Sequence, residues 1–136
     1  MTQKVLIVDD HIDFIQSIQL VAEMGGYQVV AVSSAKEALE MLDESFDILV
    51  TDLMMPEIDG FALVNKALEI NPKLKTLLIS AALELAKERF TESAGFDLVE
   101  NSARFLAKPF DAETFLARLQ ALWMIYFLVA TLCAAF

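Results

Sequence analysis

Five side chains capable of chemistry stand at the ends of short, mostly apolar runs: Asp9 and Asp10 after "KVLIV" (4–8), Asp52 after "ILVT" (48–51), Ser80 closing "TLLIS" (76–80) and Lys108 after "RFLA" (104–107). A continuous apolar run, as opposed to an alternating one, is the pattern of a strand covered on both faces, as in a parallel sheet. Strand ends on one rim of such a sheet lie side by side, so these groups can share one shallow pocket. Three carboxylates held together repel and are at ease only with a counter-ion. All-oxygen ligation with room for water suits Mg2+. Asp52 can then act as a carboxylate nucleophile toward a phosphoryl group. The Lys108 ammonium and the Ser80 hydroxyl would hold the equatorial oxygens on which charge accumulates.

The elements between these runs must carry the chain back across the sheet. From Asp13, Phe14, Ile18, Val21 and Ala22 recur at helical spacing until Gly25 and Gly26 stop the helix. "QVVAV" (28–32) is a second strand, and Ser34 and Glu37 have capping-box spacing for a helix from Ala35 to about Glu44. After the turn-rich "PEIDG" a helix from Phe61 to Ile70 ends at Asn71 and Pro72. Leu83 to Ala94 can form a helix closed by Gly95, and Asp111 can cap a final helix with Glu113 in its first turn. Five strands alternating with five helices predict a doubly wound α/β fold: a five-stranded parallel sheet with helices on both faces and right-handed crossovers. With strand order 2-1-3-4-5 the five groups converge on the carboxyl rim, where ligands of such sheets bind.

On these residues the chain resembles the receiver domains of two-component response regulators. The resemblance runs from about Lys4 to Leu119 through the acidic pair "DD" (9–10), "TDLMMPEIDG" (51–60), "LLISA" (77–81) and "FLAKPF" (105–110). It implies a flavodoxin-like fold, with Asp52 as phosphoacceptor for a sensor histidine kinase or phosphotransfer protein. It also implies Mg2+ held by Asp10, Asp52 and the backbone carbonyl of Met54, with Asp9 assisting through water. Ser80 and Lys108 would contact the phosphoryl group. Phe105, three residues before the lysine, matches the family's aromatic switch, though an aromatic in a short strand also reads simply as core. His11 follows the acidic pair where the family often carries another acid; it reads as an exposed loop residue that slightly lowers the local negative charge. The chain departs from the pattern between Ser80 and Lys108, where "FDLVENSA" (96–103) is surplus.

Composition narrows the partners. The 136 residues suit one domain, and 20 acidic against 10 basic residues, a net charge of −10, argue against nucleic acid. The single cysteine, Cys133, forms no internal disulfide, and the N-terminal apolar run is too short for a signal peptide, so a cytoplasmic protein is expected. The tail is anomalous: the eighteen residues after Arg118 contain only Gln120 and Thr131 as clearly polar side chains. The expected division is a receiver domain over 1–120 and an apolar helical extension over 121–136. A helix apolar on all sides is buried in protein or in lipid. Homodimerisation through this helix is expected, with membrane attachment through 119–136 as the alternative. The functional expectation is a stand-alone receiver that switches contacts with a downstream protein. The alternatives are an interaction module with a silent site or a Mg2+-dependent phosphohydrolase, for which "DLM" after Asp52 offers no second acid.

Overall fold

A computed structural model describes residues 2–81 and 105–135; for Trp123 and residues 125–135 it describes the backbone alone. The elements are β1 (Lys4–Val8), α1 (Ile12–Met24), β2 (Gln28–Val32), α2 (Ala35–Met41), β3 (Ile48–Asp52), α3 (Gly60–Ile70), β4 (Lys75–Ser80), β5 (Phe105–Ala107) and α4 (Ala112–Ala135). The helix expected over 83–94, the surplus segment after Gly95 and Arg104 at the start of the fifth run lie outside the described residues. All strands pair in parallel, as the run-and-helix alternation predicts, and their order is β2-β1-β3-β4-β5, as expected.

The continuous apolar runs are explained by two cores. Successive side chains of a strand point to opposite faces. Leu6 and Val8 of β1 and Leu49 of β3 therefore join Leu53, Leu63, Val64 and Phe105 in one layer. Val5, Ile7, Ile48 and Val50 join Ile18, Ala22, Leu77, Phe115 and Leu119 in the other. Neither face of the central strands meets water, so polar side chains there are confined to the ends.

Two boundaries differ from expectation for local reasons. α2 ends at Met41, not near Glu44, because Leu42 turns extended (φ −66°, ψ 131°) and is buried in the core. Beyond it the Asp43 carboxylate accepts hydrogen bonds from the hydroxyl and N–H of Ser45, a local turn that competes with another helical turn and holds the Asp43 carboxyl below its ordinary range. α3 begins at Gly60, capped by Asp59, whose Oδ1 accepts from Ala62 N–H at 2.8 Å. At its far end Asn71 is buried and does more than stop the helix. Its Nδ2 donates to the Phe46 carbonyl at 2.8 Å and its Oδ1 accepts from Lys73 N–H at 3.2 Å. The loop into β3 is thereby tied to the loop into β4.

The last helix packs through Phe115, Leu119 and Leu122, all buried, at i, i+4, i+7 spacing. Leu122 thus joins the receiver core two residues past residue 120, whereas Met124 is exposed. The helical backbone continues to Ala135, about 20 Å beyond Leu122 at 1.5 Å per residue. Among the described residues no helix is long and apolar enough to cross a membrane.

Asp111 holds the start of this helix, its Oδ1 accepting from Thr114 N–H at 2.7 Å. Hydrogen bonds from Thr114, the hydroxyl first and the N–H second, lower the Asp111 pKa from its ordinary 3.8. A carboxyl lowered on folding stabilises the folded state above its unfolded pKa, and that contribution is lost as pH falls through the folded value. Asp111→Ala is therefore expected to lower the melting temperature at pH 7, with the difference from the parent shrinking as pH falls below about 3.8. Melting curves of both proteins across pH check this.

Candidate functional site

The parallel register delivers the five predicted groups to one rim. Val8 pairs with Thr51 and Asp52 with Ile79, so Asp9, Asp52 and Ser80 each sit at, or one residue beyond, the last rung of the ladder. Ser80 pairs with Ala107, and the Ser80 carbonyl accepts from Lys108 N–H at 2.9 Å, which sets Lys108 beside β4. The Lys108–Pro109 peptide is cis.

Lys108 closes the site. Its Nζ donates to Asp9 Oδ2 at 3.0 Å and to Asp52 Oδ2 at 3.3 Å, and it lies 4.1 Å from the centroid of the Phe14 ring. Phe14 meets Phe110 edge-on with centroids 5.7 Å apart, and Phe110 stacks on Phe115 at 5.6 Å. This aromatic wall limits the positions the ammonium can take and presents a ring face to its charge. The spacing of Phe14 on its helix signalled only an apolar position. Its role under Lys108 depends on a residue 94 positions away, 108 less 14.

Asp52 is buried, with Oδ1 accepting from Met54 N–H at 3.1 Å and Oδ2 facing Lys108. The turn beside it is pressed against α3. A Cβ on Gly60 would come within 2.6 Å of the Asp52 carbonyl oxygen and 2.9 Å of Leu53 Cα. Both are backbone atoms that cannot swing aside, so only glycine allows α3 to start this close to the end of β3. Met54 is exposed and lines an open depression together with Asp10, Asp52, Ala81 and Lys108.

The acidic pair divides its surroundings. Asp9 is buried, with Oδ1 accepting from His11 N–H at 2.9 Å and lying 3.1 Å from His11 Nδ1. Asp10 is more open, its Oδ1 3.2 Å from the same Nδ1. His11 is exposed, as expected, but it is drawn into the acidic cluster rather than left in the loop. The hydrogen bond to Asp9, then the charges of Asp10 and Asp9, raise its pKa above 6.5. Asp9, Asp10, His11 and Asp52 each offer one ligand atom, all within 4.8 Å of one another. Hard carboxylate oxygens on an open rim with space for water fit Mg2+. Phe105 lies apart from this cluster. It is buried in the layer beneath α3, edge-on to Phe61 at 6.5 Å, and its carbonyl accepts from Arg118 Nη1 at 2.9 Å.

Chemically, the rim offers a carboxylate nucleophile, a fixed ammonium and a set of oxygen donors for a divalent cation. The ammonium also keeps two largely buried carboxylates tolerable without a cation. Removing one partner of a buried charge cluster costs about 3 kcal/mol. Lys108→Ala is expected to lose about that much in cation-free urea unfolding and to gain more from added Mg2+ than the parent does. Equal Mg2+ responses in the two proteins would separate the cation from these carboxylates.

Comparison with known proteins agrees with this fold. The response regulator receiver domain family model matches residues 5–120. The response regulator SaeR of Staphylococcus epidermidis is 30% identical over 113 residues, covering 83% of this chain and 47% of the relative. The receiver protein CpdR of Brucella abortus is 31% identical over 109 residues, 79% of this chain and 86% of the relative. The chain thus spans about half the length of the SaeR relative and most of CpdR. Among solved structures, a CheY-like receiver domain from Methanospirillum hungatei superposes with TM-score 0.75 at 24% identity, over 89% of this chain and 93% of the other. A response regulator receiver domain protein from Clostridium thermocellum does so with 0.77 at 24%, over 93% and 98%. With a family match over most of its length and this fold, the chain belongs to the response regulator receiver domain family.

Proposed function

We propose that this receiver is a phosphorylation switch in which Asp52 accepts a phosphoryl group from a histidine kinase or phosphotransfer protein. The observation that carries the reading is the placement of Asp52: buried at the end of β3, with Lys108 Nζ 3.3 Å from one carboxylate oxygen. A carboxylate oxygen of Asp52 attacks the phosphorus of the donor phosphohistidine. The O–P bond forms as the N–P bond breaks, and the leaving imidazole keeps the electron pair and takes a proton from solvent. Lys108 and the Ser80 hydroxyl stabilise the equatorial oxygens during transfer. Asp10, Asp52, the Met54 carbonyl and, through water, Asp9 would hold Mg2+, which would supply further neutralisation of phosphoryl charge. The product is an acyl phosphate on the protein itself, so the role is regulatory, not that of an enzyme acting on an external substrate. Ser80 and Phe105 form the switch: a new partner for the Ser80 hydroxyl changes β4, and Phe105 repacks against Phe61. The chain works in the cytoplasm through protein contacts.

Incubating the protein with Mg2+ and acetyl phosphate, followed by intact mass, tests the assignment. The parent is expected to gain one phosphoryl group, and Asp52→Asn to keep the fold and gain none. A full adduct on that variant would place the acceptor elsewhere, and release of phosphate from varied esters would favour a phosphohydrolase.

For the tail, the proposal is homodimerisation. The family match stops at residue 120, the seam of α4 facing the sheet reaches Leu122, and the helical backbone runs on to Ala135 through a sequence with no charged residue. Ending the chain after Met124 keeps Phe115, Leu119 and Leu122. Light scattering in plain buffer is expected to show a dimer for the full chain and a monomer for the truncated one, with both taking the adduct. Flotation of the full chain with liposomes would instead favour membrane attachment.

A further inference from the structure

The imidazole in the acidic cluster gives the rim a donor that an all-carboxylate site lacks. His11 Nδ1 lies 3.1 Å from Asp9 Oδ1 and 3.2 Å from Asp10 Oδ1, and one ligand atom from each of Asp9, Asp10, His11 and Asp52 falls within 4.8 Å of the others. Adjacent ligands of an octahedral cation with bonds near 2.1 Å are about 3 Å apart and opposite ones about 4.2 Å. The nitrogen therefore already stands at ligand spacing from two carboxylates, at the mouth of the site where Asp10 is open to solvent.

We propose that His11 is itself a ligand of the cation site, its Nδ1 joining Asp10, Asp52 and the Met54 carbonyl while Asp9 acts through water, so that the site favours cations with an affinity for nitrogen, such as Mn2+ and above all Ni2+, over Mg2+. Mg2+ is a hard ion that prefers oxygen and gains little from an imidazole. Affinity for nitrogen-containing sites rises from Mn2+ to Ni2+ along the divalent series. The geometry alone allows a second arrangement, in which the ring only donates a hydrogen bond to the acids. The two differ in one property: only a ligand nitrogen shares electron density with the metal.

This inference rests on the rim being a divalent-cation site, so the test reads the two separately. Electron spin echo of Mn2+ on the untagged protein is expected to show coupling to an imidazole nitrogen, lost in His11→Ala. Calorimetric titration with Ni2+ and Mg2+ is expected to show His11→Ala weakening Ni2+ by about tenfold or more while Mg2+ changes by less than about threefold. Binding of Mg2+ and Ni2+ without nitrogen coupling, or with both affinities shifted equally, would overturn the role of His11 and leave the cation site standing. Failure of any cation to bind the parent would overturn both.

Discussion

The mutual repulsion of Asp9, Asp10 and Asp52 is the constraint on which the rest of the molecule turns. Two of these carboxylates are almost fully buried, where an unpaired charge is most expensive. They are tolerable because Lys108, from the other end of the chain, reaches both, and because His11 leans over the acidic pair. A cluster that is only just compensated is suited to a switch. On the proposed function, a cation and a phosphoryl group would both change its charge balance, and Lys108, paired with Asp9 and Asp52, lies directly in that field.

Holding such a cluster in place requires a scaffold that does not relax, and the doubly covered sheet provides it. β1 and β3 are apolar on both faces, so a shift of register would push core side chains into water. The approach of Gly60 to the Asp52 carbonyl locks the turn after β3 from one side, and the Phe14–Phe110–Phe115 stack holds Lys108 from the other. Phe105 pairs with Leu78 of β4, two rungs before the Ser80–Ala107 pair, and is buried apart from the acids.

Legibility followed locality. The strands were legible because a doubly buried strand leaves an unbroken apolar run, and the caps at Ser34 and Asp111 because their partners lie three residues away. The end of α2 was missed by three residues, since a turn between Asp43 and Ser45 and the burial of Leu42 outweighed a pattern that still read as helical. Asn71 read as a helix stop because a turn residue's type says nothing about a buried acceptor 25 residues earlier in the chain, the Phe46 carbonyl.

By itself the sequence determined the fold class, the groups at the strand ends and the apolar character of the tail. Each of these is written in residue type and period, properties that a parallel sheet converts directly into position. Only the tertiary structure decided which acid Lys108 touches, that Phe14 lies beneath its ammonium, that Gly60 must lack a side chain, and that His11 belongs to the cluster and not to the loop. Those outcomes depend on distances of a few ångströms between residues far apart in the chain, or on the direction of one exposed ring. Such distances are set by how layers pack, which no local pattern encodes.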